Sequence, residues 1–267
     1  MIAEWKNAYQ ERNMIMRLAK EDFRKRFVGS YFGVLWMFVQ PIVTIVIYVF
    51  VFQLGFKAQP PSSIDAPYVL WLIPGIIPWF YFGEAVNMGT GVLSEYNYLV
   101  KKVVFHIDVL PLIKNIACFM VHMIFWLILV AAFLLYGYRP NLYWLQTLYY
   151  SFCAFVLILG VTKLTSAVNV FFKDMSQIVA IIIQFGMWVT PIMWSYDQFL
   201  GDKPWGKLLK LNPFYYISEG YRDSLLNHVG FWEHPELTLY FWGFTMGLLF
   251  LATKIFEKLR PHFADVL

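Results

Sequence analysis

Few side chains in this sequence could do covalent chemistry, and their spacing limits what that chemistry could be. Gly201 to Lys207 reads as glycine, four residues, glycine and lysine. A loop that cradles phosphates needs Ser or Thr next, to reach magnesium, and a strand before it. Leu208 stands in that place and Pro204 interrupts the loop, so no nucleotide site is expected. There is no His-Glu-x-x-His zinc pattern and no Gly-x-Ser-x-Gly nucleophile elbow. The histidines, at 106, 122, 228, 234 and 262, are scattered. Cys118 and Cys153 sit inside apolar runs, as small packing residues do, and suggest neither a disulfide framework nor a zinc site. No catalytic residue and no metal site is therefore expected. Two charges lie inside apolar runs, Glu84 and Lys163. Ionisable groups within a membrane are functional candidates by default, although a structural pair, or for Lys163 snorkelling to a near interface, is the simpler reading. Glu219 and Arg222 stand three residues apart, so they can pair on one helical face. An unpaired charge at membrane depth would be costly, so loss of Arg222 is expected to strand Glu219, with Glu219→Gln recovering part of the damage.

The elements that position these groups follow from composition. Of 267 residues, 60% are hydrophobic, 20% aromatic and only 14% charged. A soluble domain has ~45–50% apolar and ~25% charged residues. Only a bilayer can solvate such a chain, which excludes a cytosolic enzyme, a disordered protein and a nucleic-acid module. The net charge of +4 is small, so its placement matters more than its size. Residues 1–29 mix seven Lys/Arg with four Asp/Glu and hold no apolar stretch, so they do not read as a cleaved signal peptide.

A membrane helix needs ~20 mostly apolar residues. Six runs qualify, at roughly 31–56, 67–92, 111–136, 145–171, 177–196 and 237–257. The chain reads as an all-α integral membrane protein of six transmembrane helices, with residues 1–30 an interface segment and 31–267 the transmembrane domain. If the N-terminus is inside, fourteen Lys/Arg fall in inner segments and six in outer ones. That asymmetry predicts that both termini are cytoplasmic.

Three segments outside the runs carry information. In residues 4–28, Trp5, Ala8, Tyr9, Ile15, Met16, Ala19, Phe23 and Phe27 share one helical face, opposite Lys6, Arg17, Glu21 and Arg24. This predicts an amphipathic helix lying in the inner interface. In the inner loop, Tyr96, Leu99, Val100, Val103, Val104 and Ile107 recur every three or four residues. They predict a helix over about 94–108 whose apolar face needs lipid or a cytosolic protein. The outer stretch 197–236 is broken by Gly201, Pro204, Gly206, Pro213, Gly220 and Gly230. Asn212-Pro213 is a helix start, with Asn as cap and Pro in the first turn. A re-entrant helical hairpin over about 199–230 is expected, buried in protein or lining a wet cavity.

Several of these stretches resemble a known family. Tyr31-Phe32-Gly33-Val34-Leu35-Trp36 with Gln40-Pro41, and Tyr98 to Phe105 with Leu110-Pro111, resemble the first span and inner loop of ABC-2 type polysaccharide export permeases. Phe172-Lys173-Asp174, Met187 to Trp194, Asn212 to Tyr216 and Glu219-Gly220-Tyr221-Arg222 resemble their fifth-span region and outer hairpin. The order and spacing hold over nearly the whole chain. The family exports teichoic acid, O-antigen and capsular polysaccharide; the stretches at Glu84 and 96–105 look closest to the teichoic acid branch.

The resemblance implies a permease in the bacterial cytoplasmic membrane, surrounded by membrane lipids, that moves a polymer on undecaprenyl diphosphate. Two copies would pair. ATP and magnesium would be bound by two separate ATPase subunits, with no cofactor in this chain. Spans one and five would line the conduit, with Tyr31, Trp36, Phe38, Trp188, Trp194 and Tyr196 offering flat faces to sugars and apolar surface to a lipid tail. Tyr96, Leu99, Val100, Lys101, Lys102 and Val103 would couple to the ATPase. O-antigen or capsule export is the alternative cargo. More remote is a secondary transporter or channel, which would need an internal repeat that residues 1–133 and 134–267 do not share. A membrane enzyme on polyprenyl-linked sugars would need clustered acids at one membrane face, where the first outer loop offers only Asp65.

Overall fold

The computed structural model describes residues 11–26, 31–61, 64–100, 106–196 and 204–267. The described residues are helical with no strand. In chain order the helices are α1 (Arg12–Lys25), α2 (Trp36–Tyr48), α3 (Tyr68–Thr90), α4 (Val92–Glu95), α5 (Asn97–Val100), α6 (Leu110–Leu135), α7 (Gln146–Phe171), α8 (Met175–Val189), α9 (Pro204–Lys210), α10 (Pro213–Arg222), α11 (Pro235–Leu259) and α12 (Phe263–Val266). A 3₁₀ turn at Gly33–Leu35 and a wide turn at Val49–Gly55 extend α2 at its two ends.

Prolines set several of the starts. Pro111, Pro213 and Pro235 occupy the first turns of α6, α10 and α11, where a missing N–H costs nothing. Asn212 caps α10 by accepting from Phe214 N at 3.0 Å, and Asn141 caps the turn before α7 by accepting from Trp144 N at 3.3 Å.

Among the described residues, five helical stretches are long and apolar enough to cross a membrane: Gly33–Gly55, Tyr68–Thr90, Ile107–Leu135, Leu142–Phe171 and Pro235–His262. The fifth expected run is shorter than its sequence suggests. Its helix, α8, has 15 residues and covers ~22 Å of a ~30 Å core. It stops because Thr190 precedes Pro191 and takes an extended conformation, φ −73° and ψ 132°.

The core lies along α3 and α7. They are 67% and 72% buried over their apolar windows, against 33% for α6 and α11. α3 packs on α6, α7, α8 and α10, while α7 carries α11 on its other side. Two glycines permit these approaches. A Cβ at Gly89 would collide with Thr162 where α3 crosses α7, and one at Gly220 would collide with the Tyr150 ring where α10 meets α7. Polar side chains join the same helices. Tyr81 Oη donates to Asn115 Oδ1 at 2.6 Å, and Asn115 Nδ2 donates to the Phe155 carbonyl at 2.9 Å. His122, fully buried, has Nε2 3.2 Å from Ser151 Oγ and 3.1 Å from Tyr221 Oη. It serves as a packing and hydrogen-bonding residue across α6, α7 and α10.

The first span is the exception. Only 6% of its window is buried within the chain. The outer face of α8 is similarly bare, with Ile181, Ile182, Phe185 and Trp188 exposed.

The α7–α10 approach gives a direct test. Gly220→Ala is expected to destabilise the protein by about 1–3 kcal/mol through overpacking against Tyr150. Gly91→Ala, whose added methyl group meets nothing, should stay within about 0.5 kcal/mol of the parent. Thermal unfolding in detergent reads both, and equal melting shifts would contradict this packing.

Candidate functional site

The aromatic residues marked out in the sequence divide into two groups. Tyr31, Trp36 and Trp188 are exposed, and Trp36 stands edge-on to Phe32 at 5.7 Å. Trp36 and Trp188 belong to the bare faces of α2 and α8, and Tyr31 precedes α2; the two helices touch on their core-packed sides, where Tyr48 Oη lies 3.5 Å from Met187 Sδ. Phe38 instead turns inward, its ring 5.7 Å from Phe125 of α6. It lies on the Met37 side of α2, which packs on the core. Trp194 donates from Nε1 to the Trp188 carbonyl at 3.0 Å and so covers the end of α8. Tyr196 faces Tyr215 at 6.0 Å and carries Lys210 Nζ over its ring at 4.8 Å.

At its described start, the inner loop departs from the one helix expected over 94–108. α4 and α5 are single turns broken at Tyr96, where φ is −99° and ψ 30°. The break arises because Tyr96 is buried and points its Oη at Asp22 Oδ1, 3.1 Å away. Burial first, and then the charge of Asp22, hold this phenol above its ordinary pKa. Leu99 packs at the edge of a cluster that contains Ile15, Ala19, Leu110 and Phe263. Val100 closes α5; Lys101, Lys102 and Val103 lie outside the described residues, as do residues 1–10 of the expected amphipathic helix.

That cluster also shows what α1 does. Its apolar face is packed on α6 through Ile15 and Ala19, not left for lipid, and Asp22 is buried on the same face. Lys114 Nζ donates to Asp22 Oδ1 and, at 2.9 Å, to Glu95. Arg26 Nη1 donates to Glu84 Oε1 at 2.6 Å, and its Nη2 lies 2.9 Å from Cys118 Sγ and 3.6 Å from Asp22 Oδ2. Glu84 is thus a paired charge. Lys163 donates to Thr253 Oγ1 at 3.2 Å and sits 5.5 Å from the Phe256 ring. Sequence reasoning passed over Asp22 and Lys114. The available signal was an acid spaced three residues from Ala19 and seven from Ile15, which puts a carboxylate on an otherwise apolar arc.

At the opposite end of α3, one side chain organises the hairpin. Arg222 is 1% exposed. It donates to the carbonyls of Trp71 (3.1 Å), Pro191 (2.8 Å) and Ile192 (2.6 Å), and to Glu219 Oε1 (2.5 Å). Its guanidinium stacks 3.8 Å from the centre of the Trp71 ring. Tyr68 Oη donates to the next carbonyl, Met193, at 2.6 Å, and Asn212 Nδ2 donates to Thr190 Oγ1 at 2.7 Å. The chemistry is that of a helix ending too early. Beyond Val189 three consecutive buried carbonyls have no helical partner among the described residues, and a rigid planar fork can serve two of them together with α3. Arg222 therefore holds backbone as well as Glu219. Among the described residues, no three His, Cys, Asp or Glu side chains are grouped to hold a metal ion.

The sequence pattern of the ABC-2 type transporter family matches residues 14–226. The O-antigen export system permease protein RfbA of Klebsiella pneumoniae is 29% identical over 257 residues, 96% of this chain and 95% of that protein. A protein of the same name from Myxococcus xanthus is 27% identical over 273 residues, 99% of each chain. Neither carries a teichoic acid name.

The Arg222 geometry revises the expectation that its loss acts by stranding Glu219. Glu219 is 30% exposed at its side chain, so it is far less enclosed than Arg222. Arg222→Ala is expected to cost at least about 3 kcal/mol, from unpaired buried carbonyls and the cavity left behind. Glu219→Gln should cost under about 1 kcal/mol, and adding it to Arg222→Ala should recover little. Thermal unfolding in detergent measures all three variants. Substantial recovery in the double variant would contradict the backbone-holding role.

Proposed function

Because the chain belongs to the ABC-2 type transporter family, we propose that it is the membrane permease of an ATP-driven exporter whose cargo is O-antigen polysaccharide carried on a polyprenyl diphosphate lipid. The single observation that carries the reading is the end-to-end match. The family pattern spans residues 14–226, and the O-antigen permeases align over 95% or more of their own length. O-antigen replaces the teichoic acid reading because the matching relatives carry that name. The chain is a transport subunit and not itself an enzyme; ATP and magnesium belong to a partner ATPase.

The rest of the reading follows from surfaces. α8 with residues 190–196 completes a sixth crossing, and α9–α10 form a hairpin that re-enters the outer leaflet. The irregular backbone that leads from α8 towards it is supported by Arg222 and Tyr68 at the carbonyls of Pro191 and Met193, and Asn212 bonds the Thr190 hydroxyl. Both termini are cytoplasmic, in accord with fourteen Lys/Arg in inner segments against six in outer ones. A second copy pairs through the bare faces of α2 and α8, placing the conduit on a two-fold axis. Tyr31 and Trp36 then stand at the inner entrance, and Trp188, Trp194 and Tyr196 towards the exit. Phe38, packed on Phe125, supports the wall from behind. Two ATPase subunits dock at the segment from Tyr96 through Leu99, Val100, Lys101, Lys102 and Val103, beside α1. ATP-driven approach of these subunits shifts the permease between two arrangements that contact the polymer differently.

Deletion of the chain in its own cell should trap the lipid-linked polymer inside, and re-expression with the partner ATPase should restore surface polysaccharide. An impermeant thiol reagent added outside should label Trp194→Cys but not Trp36→Cys. Unchanged surface polymer after deletion would overturn the export reading.

A further inference from the structure

The charges around Asp22 do more than a stability role explains. Five ionisable side chains from four parts of the chain meet at one end of the bundle. They are Asp22 and Arg26 at the C-terminal end of α1, Glu84 in α3, Glu95 in α4 and Lys114 in α6. Asp22 is 3% exposed and Lys114 2%. Buried ion pairs of this kind add little net stability over apolar side chains of similar size, because desolvation offsets the attraction. What they do provide is directional attachment between elements that would otherwise slide.

The attachments are of two kinds. Lys114 is bonded to both Asp22 and Glu95, and Tyr96 to Asp22, so α1, the α4–α5 corner and the start of α6 are bound as one body. That body is fastened to α3 by Arg26, whose fork spans the two. Arg26 Nη1 is bonded to Glu84 at 2.6 Å, while its Nη2 lies 3.6 Å from Asp22 Oδ2, which is buried and makes no hydrogen bond among the described residues. Arg26 thus holds Glu84 on α3 and Asp22 on its own helix at the same time. From Glu84, α3 runs about 20 Å to Trp71, which stacks on Arg222 and so reaches the carbonyls of residues 191 and 192.

We infer that Asp22, Arg26, Glu84 and Lys114 are positioning residues for export: a charged joint in which the Arg26–Glu84 bond passes movement of the ATPase-docking corner to α3 and on to the hairpin. The inference rests on the export reading.

The test uses the permease–ATPase complex in lipid nanodiscs and in cells. Glu84→Gln removes the charge at the half-exposed end of the joint and should leave the complex assembled. ATP hydrolysis per complex should continue while polymer delivered per ATP falls roughly five- to 150-fold. Arg26→Glu and Glu84→Arg should each uncouple in the same way, and combining them should restore delivery per ATP. Delivery per ATP that is unchanged in Glu84→Gln overturns the joint. So does a loss of export that only tracks loss of assembled complex, since that is what a structural role would give. A parent complex that delivers no polymer overturns the export reading itself, and the joint with it.

Discussion

Inside hydrocarbon there is no water to satisfy a backbone carbonyl, and this constraint governs how the molecule is built. α8 ends at Val189, well short of a full crossing, and leaves the carbonyls of residues 191–193 buried. Arg222 and Tyr68 are placed to receive them. To put a guanidinium there, α10 must pack against α3 and α7, which it does through the missing side chain of Gly220, and α3 must be close, which the missing side chain of Gly75 permits. A single irregular turn thus dictates the seat of the hairpin. The buried positive charge is tolerated because carbonyl dipoles, the Trp71 face and Glu219 all surround it.

The same solvent rule explains the uneven distribution of apolar surface. α3 and α7 are enclosed, with polar contacts such as Tyr81–Asn115 and Thr90–Thr165 joining them to neighbours. α2 and α8 show long bare faces of Val, Ile, Phe and Trp. In an exporter of a chain polymer, a wall of that kind is suited to a role between copies. α2 packs on the rest of its own chain along one side, with 6% of its window buried, against 67% and 72% for α3 and α7.

Much of this was legible in the sequence, where local signals are strong. Five of the six apolar runs became helices of membrane length, with ends within a few residues of those expected. Asn212-Pro213 capped its helix as its chemistry requires. The amphipathic face of residues 12–25 was readable too, but not its partner. Nothing in a periodicity distinguishes lipid from α6, and only the stray carboxylate of Asp22 hinted at a protein contact. The inner loop misled for a related reason. Tyr96 counted as one more apolar position of a helix, whereas its hydroxyl is drawn inward to Asp22 and breaks that helix. Phe38 was taken with the other aromatics of its span because composition does not reveal which side of a helix finds a neighbour.

The central claim is that the bare faces of α2 and α8 meet a second copy and enclose the conduit. Disulfide cross-linking in native membranes addresses it most directly, in a background without Cys118 and Cys153. Cysteines placed singly at Val43 on α2 and Ile182 on α8 should yield covalent dimers, whereas one at Ile158, buried inside α7, should not. Absence of dimers from every exposed position on both helices, with those positions reacting instead with a lipid-dissolved reagent, would contradict the claim.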